Sequence, residues 1–371
     1  VHRYGTGIAV EADLMLAVAV ATDAALEPLA GAVPDLLVVF VSAHYGPDAA
    51  RAGSLAEQRS GCRSLIGGVG VSGVLGSGRE VQDRPGVVVL AASLPGVAFD
   101  VHHLQEPRLP PSAAGRTVVL LADPYTFEAD ELARDVAAGT GGVQIVGGLV
   151  GGAGPGEARL LHDGAVRTEG AVALVVDTAV CRPLVSQGCR PIGPELVITD
   201  AHRNLVVELA GKPALERLHE VFARLDDPDR RLASAGLLAG LVVNTNQPDY
   251  EIGDFLVRVI LGADDETGAI AIGDVPRVGQ TMRFHVRDEA SAHDELAAGL
   301  ARAATTAPGA ALVFSCNGRG PHLFSTPDHD AALVDTVLGV PAAGLFCQGE
   351  LGPIGQRNAL HGFTATIALF A

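Results

Sequence analysis

The sequence predicts an α/β protein of two domains, each a mixed β-sheet flanked by helices. Three observations carry this expectation. The chain has 371 residues, about two domains at roughly 100–200 residues each. Its most apolar segments are short Val/Leu runs such as LLVVFVS from Leu36, whose unbroken character suits strands buried on both faces. Between such runs lie stretches with helical spacing, and the order strand, helix, glycine-rich turn, strand recurs.

The elements follow in order. Ala and Leu recur at helical spacing over residues 13–30, with Asp13 placed as the N-cap and Pro28 and Gly31 closing the helix. A strand is expected over 36–45, a glycine-rich segment over 61–78 (GCRSLIGGVGVSGVLGSG) and a second strand over 86–94. The series then repeats: strand 117–125, an amphipathic helix 128–138 opened by acidic residues as the helix dipole prefers, glycine-rich 143–152 and strand 170–177. It recurs near the C-terminus as strand 310–315, helix 328–338, glycine-bearing 340–353 and strand 361–370. A threefold repeat is one account of this spacing; chance alternation in an α/β chain is the other.

Residues 184–282 differ. A hairpin is expected over 195–209 with its turn at 200–204, then a helix over 213–225 with Pro213 at its start. Strands 257–261 and 269–272 flank the turn residues Asp264, Asp265 and Gly268. A helix over 291–305 follows, with Asp288 positioned to cap it. A Pro/Gly-rich boundary near 181–194 divides the chain into an N-terminal domain, 1–183, holding two repeat-like units, and a C-terminal domain, 184–371, holding the hairpin region and the third.

Composition excludes several classes. Lys plus Arg is 26 against 43 Asp plus Glu, a formal net charge of −17, and aromatics are 4%. Such a chain lacks the basic stripe and stacking platform of a nucleic-acid binder, and an anionic membrane repels it. A 48% hydrophobic content argues against disorder. The longest apolar stretch, near 232–243, falls short of a membrane span. The first residues, VHRYGTGIAVEADL, lack the pattern of a secretory signal. Five scattered cysteines fit reduced thiols in a cytoplasm. Lys212 is the only lysine, so Schiff-base and P-loop chemistry are not expected.

Gly68, Gly70 and Gly73 spell GxGxxG, but the following VLGSGRE is not helical and no acidic residue follows a second strand at the dinucleotide-binding distance. A tight turn letting backbones pack closely is expected instead. Cys62, Cys316 and Cys347 lie at strand ends or glycine turns, with His44, His322 and His361 as candidate bases of a cysteine enzyme. His102, His103 and His322 are candidate metal or haem ligands without helical ligand spacing. The third unit is the densest in polar chemistry: Asn317, Arg319 and Glu350 all follow strands or glycine turns. An Arg fork suits a carboxylate and a Glu accepts from an amine, so the set could hold a small zwitterion, or Arg319 and Glu350 could pair with each other.

The same residues carry a family resemblance over almost the whole chain. GCRSLIGG around Cys62 and Ser64 resembles the Gly-Cys-x-Ser turn of the N-terminal domain of the FIST family (F-box and intracellular signal transduction proteins). VRD at 286–288, ALVFSCNGRG at 311–320, VPAAGLFCQGELGP at 340–353 and LHGFTATIALF from Leu360 resemble its C-terminal domain. The family's turn continues Gly-Glu, whereas Ser64 is followed by LIGGVG. The resemblance implies a bacterial sensory module of the stand-alone form, with no output domain, that binds amino acids or related metabolites and reports to a partner protein such as a kinase. Some members resemble haem-binding nitric-oxide sensors.

The expected function is therefore a cytoplasmic, non-catalytic sensor of a small ligand. Arg319 would take a carboxylate, Glu350 an amine and Asn317 would set orientation, with Cys316 and Cys347 alongside and Cys62 and Ser64 as further candidates. No metal is expected; haem is the cofactor considered, and a haem-based gas sensor and a cysteine-dependent enzyme are the alternatives.

Overall fold

A computed structural model gives the structure, which describes residues 1–137, 142–151, 154–244 and 249–371. The expected helix end at residue 138 and turn glycine at residue 152 lie outside the described residues. The chain forms mixed α/β structure in two compact units: Val1–Ser186 with Leu296–Ala371, and Gln187–Glu295. The expected division at 183/184 falls beside the first crossing between them. A second crossing, at 295/296, returns the chain to the first unit, so the third strand–helix–turn segment folds with the first two and not with the hairpin region.

The first unit is a true threefold repeat. In each repeat an edge strand pairs antiparallel with the repeat's last strand: Arg3–Ala9 with Val87–Ser93, Phe99–Leu104 with Ala171–Asp177, and Cys181–Ser186 with Ala365–Phe370. A central strand leads through a helix to a parallel neighbour. These are Leu36–Ser42, Ala52–Ser60 and Leu65–Gly70; Arg116–Ala122, Ala129–Ala137 and Gln144–Leu149; and Ala310–Cys316, His329–Leu338 and Ala342–Cys347. A hairpin then leaves for another repeat. Val74–Gly76 with Arg79–Val81 joins Ala342–Cys347; Leu160–His162 with Ala165–Arg167 joins Leu65–Gly70; Glu350–Ile354 with Arg357–His361 joins Gln144–Leu149. Each repeat thus lends a hairpin and receives one, and the third cannot be separated from the others. Among the described residues this yields three sheets of six strands.

Side-chain alternation explains the unbroken apolar runs. Leu36, Val38 and Phe40 point into one core shared by strands of all three sheets, while Leu37, Val39 and Val41 pack under the helices Leu14–Leu26 and Ala52–Ser60. Both faces are covered, as the Val/Leu character requires. Phe40 and Phe314 meet edge-on inside the shared core, ring centroids 6.1 Å apart, tying the first repeat to the third. Asp13 caps its helix, accepting from the Leu16 N–H at 2.8 Å.

The glycine-rich segments turn out to contain strands. A Cβ at Gly67 would lie 2.0 Å from the Val39 carbonyl oxygen, and one at Gly344 2.1 Å from that of Val313. The second strand of the parallel pair approaches the first too closely for a side chain there. Within GxGxxG itself, a Cβ at Gly70 would lie 2.6 Å from the Gly73 carbonyl oxygen and one at Gly73 2.3 Å from that of Val81, so the motif is a packing feature. Gly67→Ala is expected to destabilise the fold by about 3 kcal/mol or more, because backbone and not a flexible side chain must yield; equilibrium urea unfolding measures it. The strand Arg3–Ala9 was not expected either: RYGTGIA is short, and its glycines make sense only beneath a helix, where a Cβ on Gly5 would lie 2.1 Å from the Ala25 carbonyl oxygen.

The second unit is a closed sheet. The long strand Cys189–His202 pairs with Thr281–Arg287 on one side and Leu205–Leu209 on the other. Leu237–Val242, Phe255–Ala263 and Ile270–Ile272 complete the circuit. The long strand bends at a register shift between Ile192 and Leu196, where Gly193 takes φ +67°. The helices are Ala214–Arg224, as expected, and Asp227–Ala235, which the sequence reading missed. Asp288 caps the next helix by accepting from the Ser291 N–H at 3.4 Å; it also accepts from the Ser291 hydroxyl at 2.5 Å and from Arg190 at 3.0 Å.

Candidate ligand-binding site

The parallel strands of the third repeat end together, with Cys316 and Cys347 as register partners. The turn after Cys316 is pinned by backbone bonds from Asn317 N–H to the Cys347 carbonyl (2.8 Å) and from Arg319 N–H to the Cys316 carbonyl (2.8 Å). The Cys316 sulfur accepts from the N–H groups of Gly318 (3.4 Å) and Phe363 (3.3 Å), and its thiol points toward Asn317 Oδ1 at 3.7 Å. Glu350 opens the hairpin lent to the second repeat. The structure brings Cys316, Asn317, Arg319, Cys347 and Glu350 into one neighbourhood.

Arg319 does not offer its fork to the solvent side. Its Nε and Nη2 donate to the two oxygens of Asp330 at 2.8 and 2.9 Å, and both side chains are fully buried. Asp330 also accepts from the Ser315 hydroxyl at 2.7 Å and lies 3.0 Å from His329 Nδ1. Burial alone would raise its pKa, but the Arg319 charge and these bonds outweigh that and hold it below the usual carboxylate range. The Arg319 guanidinium lies 5.1 Å from the ring centre of Phe324, which stacks on His329. Of the two partners the sequence left open for Arg319, a ligand carboxylate or Glu350, neither holds the fork; Asp330 does.

Glu350 is the more exposed chemically, though fully buried. Its Oε2 accepts from the Thr364 N–H at 3.2 Å, while Oε1 has no hydrogen-bond partner among the described residues. Burial raises its pKa well above the usual range; the Thr364 N–H, the Arg319 charge and Cys316 only partly offset this. Burial and the nearby Glu350 likewise push the Cys316 thiol up to about 12, and Cys347 is raised by the same causes. Both thiols are protonated at neutral pH, the wrong state for a nucleophile.

A residue of the first repeat completes the site. Glu80, on the lent hairpin, accepts from the N–H groups of Asp330 (2.9 Å) and Ala331 (3.3 Å), so it caps the helix His329–Leu338 that Asp328 was expected to open. Burial and the Asp330 charge push Glu80 up to about 7. A raised carboxyl pKa gives stability that is full below the unfolded value and is lost as pH rises through the folded one. Glu80→Gln is therefore expected to remove a decline in unfolding free energy of at most about 1.4 kcal/mol per pH unit between about pH 4.3 and 7, seen as a flatter plot of Tm against pH.

Cys62, Ser64, His102 and His103 lie elsewhere, whereas His361 and His322, whose N–H donates to the Arg319 carbonyl at 3.1 Å, border the cluster. Cys62 packs in the helix-covered layer of the first repeat, its thiol on the Ser64 carbonyl at 3.4 Å, before the strand Leu65–Gly70; it and Ser64 stand outside the cluster. The Cys62 thiol is raised to about 11, chiefly by burial. His361 is the register partner of Glu350, with Nε2 3.1 Å from the Gly352 carbonyl. His102 and His103 are consecutive on the strand Phe99–Leu104 and point to opposite faces. Among the described residues no group of three His, Cys, Asp or Glu is arranged to hold a metal. Neither the groove of about 440 Å³ nor the groove of about 400 Å³ is lined by a histidine. Asp330, Glu80 and Thr364 were missed. An acid at a helix start reads as a dipole partner, which concealed Asp330; Glu80 and Thr364 gave no signal.

The fold and site together define an α/β repeat protein with a buried polar cluster at the strand ends of its third repeat. The FIST N domain model matches residues 35–212 and the FIST C domain model residues 214–353. This chain belongs to the FIST family, whose paired domains mark a sensory module of signal transduction. The border between the two matches lies inside the second unit, so the family segments do not coincide with the compact units. An uncharacterized protein of Mycobacterium bovis is 40% identical over 99% of this chain and 98% of its own length, as is one of Mycobacterium tuberculosis. A second Mycobacterium tuberculosis protein, also uncharacterized, is 39% identical over 99% of both chains. No helix among the described residues is long and apolar enough to cross a membrane.

Proposed function

We propose that the chain is a cytoplasmic, non-catalytic sensor of a small amine-bearing metabolite, an amino acid or a close relative, reporting to a partner protein such as a kinase or other output module. The observation that carries this is Glu350 Oε1: a fully buried carboxyl oxygen with no hydrogen-bond partner among the described residues. A ligand ammonium would supply the missing donor and charge. Asn317 would orient the ligand, and Cys316 and Cys347 would form neutral walls. Arg319, engaged by Asp330, would hold the 317–320 turn in shape. Neutral thiols favour binding over nucleophilic chemistry.

A thermal-shift screen with amino acids, polyamines and their amine-free analogues tests this, since a ligand selective for the folded state raises Tm by linkage. Amine-bearing compounds are expected to raise Tm and the analogues not. Equal shifts from both sets would sink the assignment of Glu350.

A further inference from the structure

A groove of about 440 Å³ lies in the first unit between the edge strand Cys181–Ser186 and the last turns of the helix Glu289–Ala304. Its origin shows against the first repeat. There the helix Leu14–Leu26 sits directly on the edge strand, because a Cβ at Gly5 or Gly7 would come within 2.1 Å of the Ala25 or Ala21 carbonyl oxygen. Register puts Arg182 and Leu184 at the equivalent positions. Gly5 pairs with Ala91 and Arg182 with Leu369, and those partners face Leu37 and Ala311, which open the parallel pairing in their repeats. Two side chains thus stand where the first repeat has none, and they hold the helix off the strand.

The groove has an apolar body and a charged mouth. Val180, Leu184, Ala303 and Leu369 line it, with the exposed Arg182 and Arg302. Neither arginine has an ion pair among the described residues, although the chain is strongly acidic and Arg59, Arg190, Arg258 and Arg319 are all paired. Arg302 suits the last turn of its helix for the sake of the dipole; Arg182 has no such reason, and its counterpart is a glycine. The volume lies within the range of small-molecule pockets, roughly 300–1,000 Å³.

We propose that this groove binds a small amphipathic carboxylate, its apolar body against Leu184 and Ala303 and its carboxylate shared by Arg182 and Arg302. Decanoate titrated into the full chain by calorimetry tests it. Saturable one-to-one binding is expected, weakened about tenfold by Arg182→Ala or Arg302→Ala and about a hundredfold by both, the loss of one and two charged hydrogen-bond donors. Decanol, with the same tail and no charge, is expected to bind about a hundredfold more weakly than decanoate. Both arginines are exposed, so the variants keep the core intact. Decanol binding as well as decanoate, or the double variant binding like the wild type, would overturn the proposal. So would saturable binding of an acidic peptide with none of decanoate, which would assign the groove to a protein partner.

Discussion

Asp330→Ala is expected to lower stability by about 3–5 kcal/mol, the usual cost of stranding one member of a buried ion pair. Arg319 would keep its charge at a position with no solvent access, and Ser315 and His329 would lose the acceptor that Asp330 gives them. Urea unfolding of the variant against the wild type measures the loss. Replacing both partners, Arg319→Met with Asp330→Leu, is expected to cost much less than Asp330→Ala alone, because no charge remains to be desolvated. A double variant as unstable as the single one would mean that the pair shapes the 317–320 turn beyond its charge balance.

Glu350→Gln is expected to weaken binding of an amine-bearing ligand by about a hundredfold, since truncating one side of a buried charged contact costs roughly 2–5 kcal/mol. The wild-type carboxyl holds its proton well above the usual range, so an ammonium that binds the ionised form displaces that proton. Calorimetry in buffers of different ionisation enthalpy is expected to show about one proton released per ligand in the wild type and none in Glu350→Gln. The same substitution separates a second effect. Glu350 stabilises the fold fully below about pH 4.3 and loses that contribution as pH rises through its folded pKa; glutamine cannot ionise, so the variant's Tm is expected to fall less with alkalinity. Proton release unchanged in the variant would remove Glu350 from the site.

Much of the architecture could be read from residues alone. The helix Ala214–Arg224 behind Pro213, the Asp13 cap and the three Val/Leu central strands are local facts, set by spacing, capping and apolar pattern. Helix Asp227–Ala235 escaped because DPDRRLASA reads as a polar turn, although Asp226 caps it through the Asp229 N–H. The site was legible in part. Arg319 and Glu350 stood out as charges on glycine turns, yet the partner of each was invisible. Asp330 lies 11 residues from Arg319 across a turn, and Thr364, whose N–H meets Glu350, lies 14 residues beyond it; Glu80 reaches Asp330 from 250 residues away.

By itself the sequence determined the α/β class, the family and the repeating order of strand, helix and glycine turn, because apolar period, capping and close-packing glycines act within a few residues. Only the tertiary structure decided that the third repeat folds with the first two, since that rests on three hairpins exchanged between repeats. It also decided which charges meet. Arg319 was free in sequence to pair with Glu350 or a ligand; packing delivers Asp330 to it and leaves Glu350 with a buried oxygen that has no hydrogen-bond partner among the described residues. In a desolvated interior, position within an ångström or so determines whether a charge is compensated, and no local pattern encodes that.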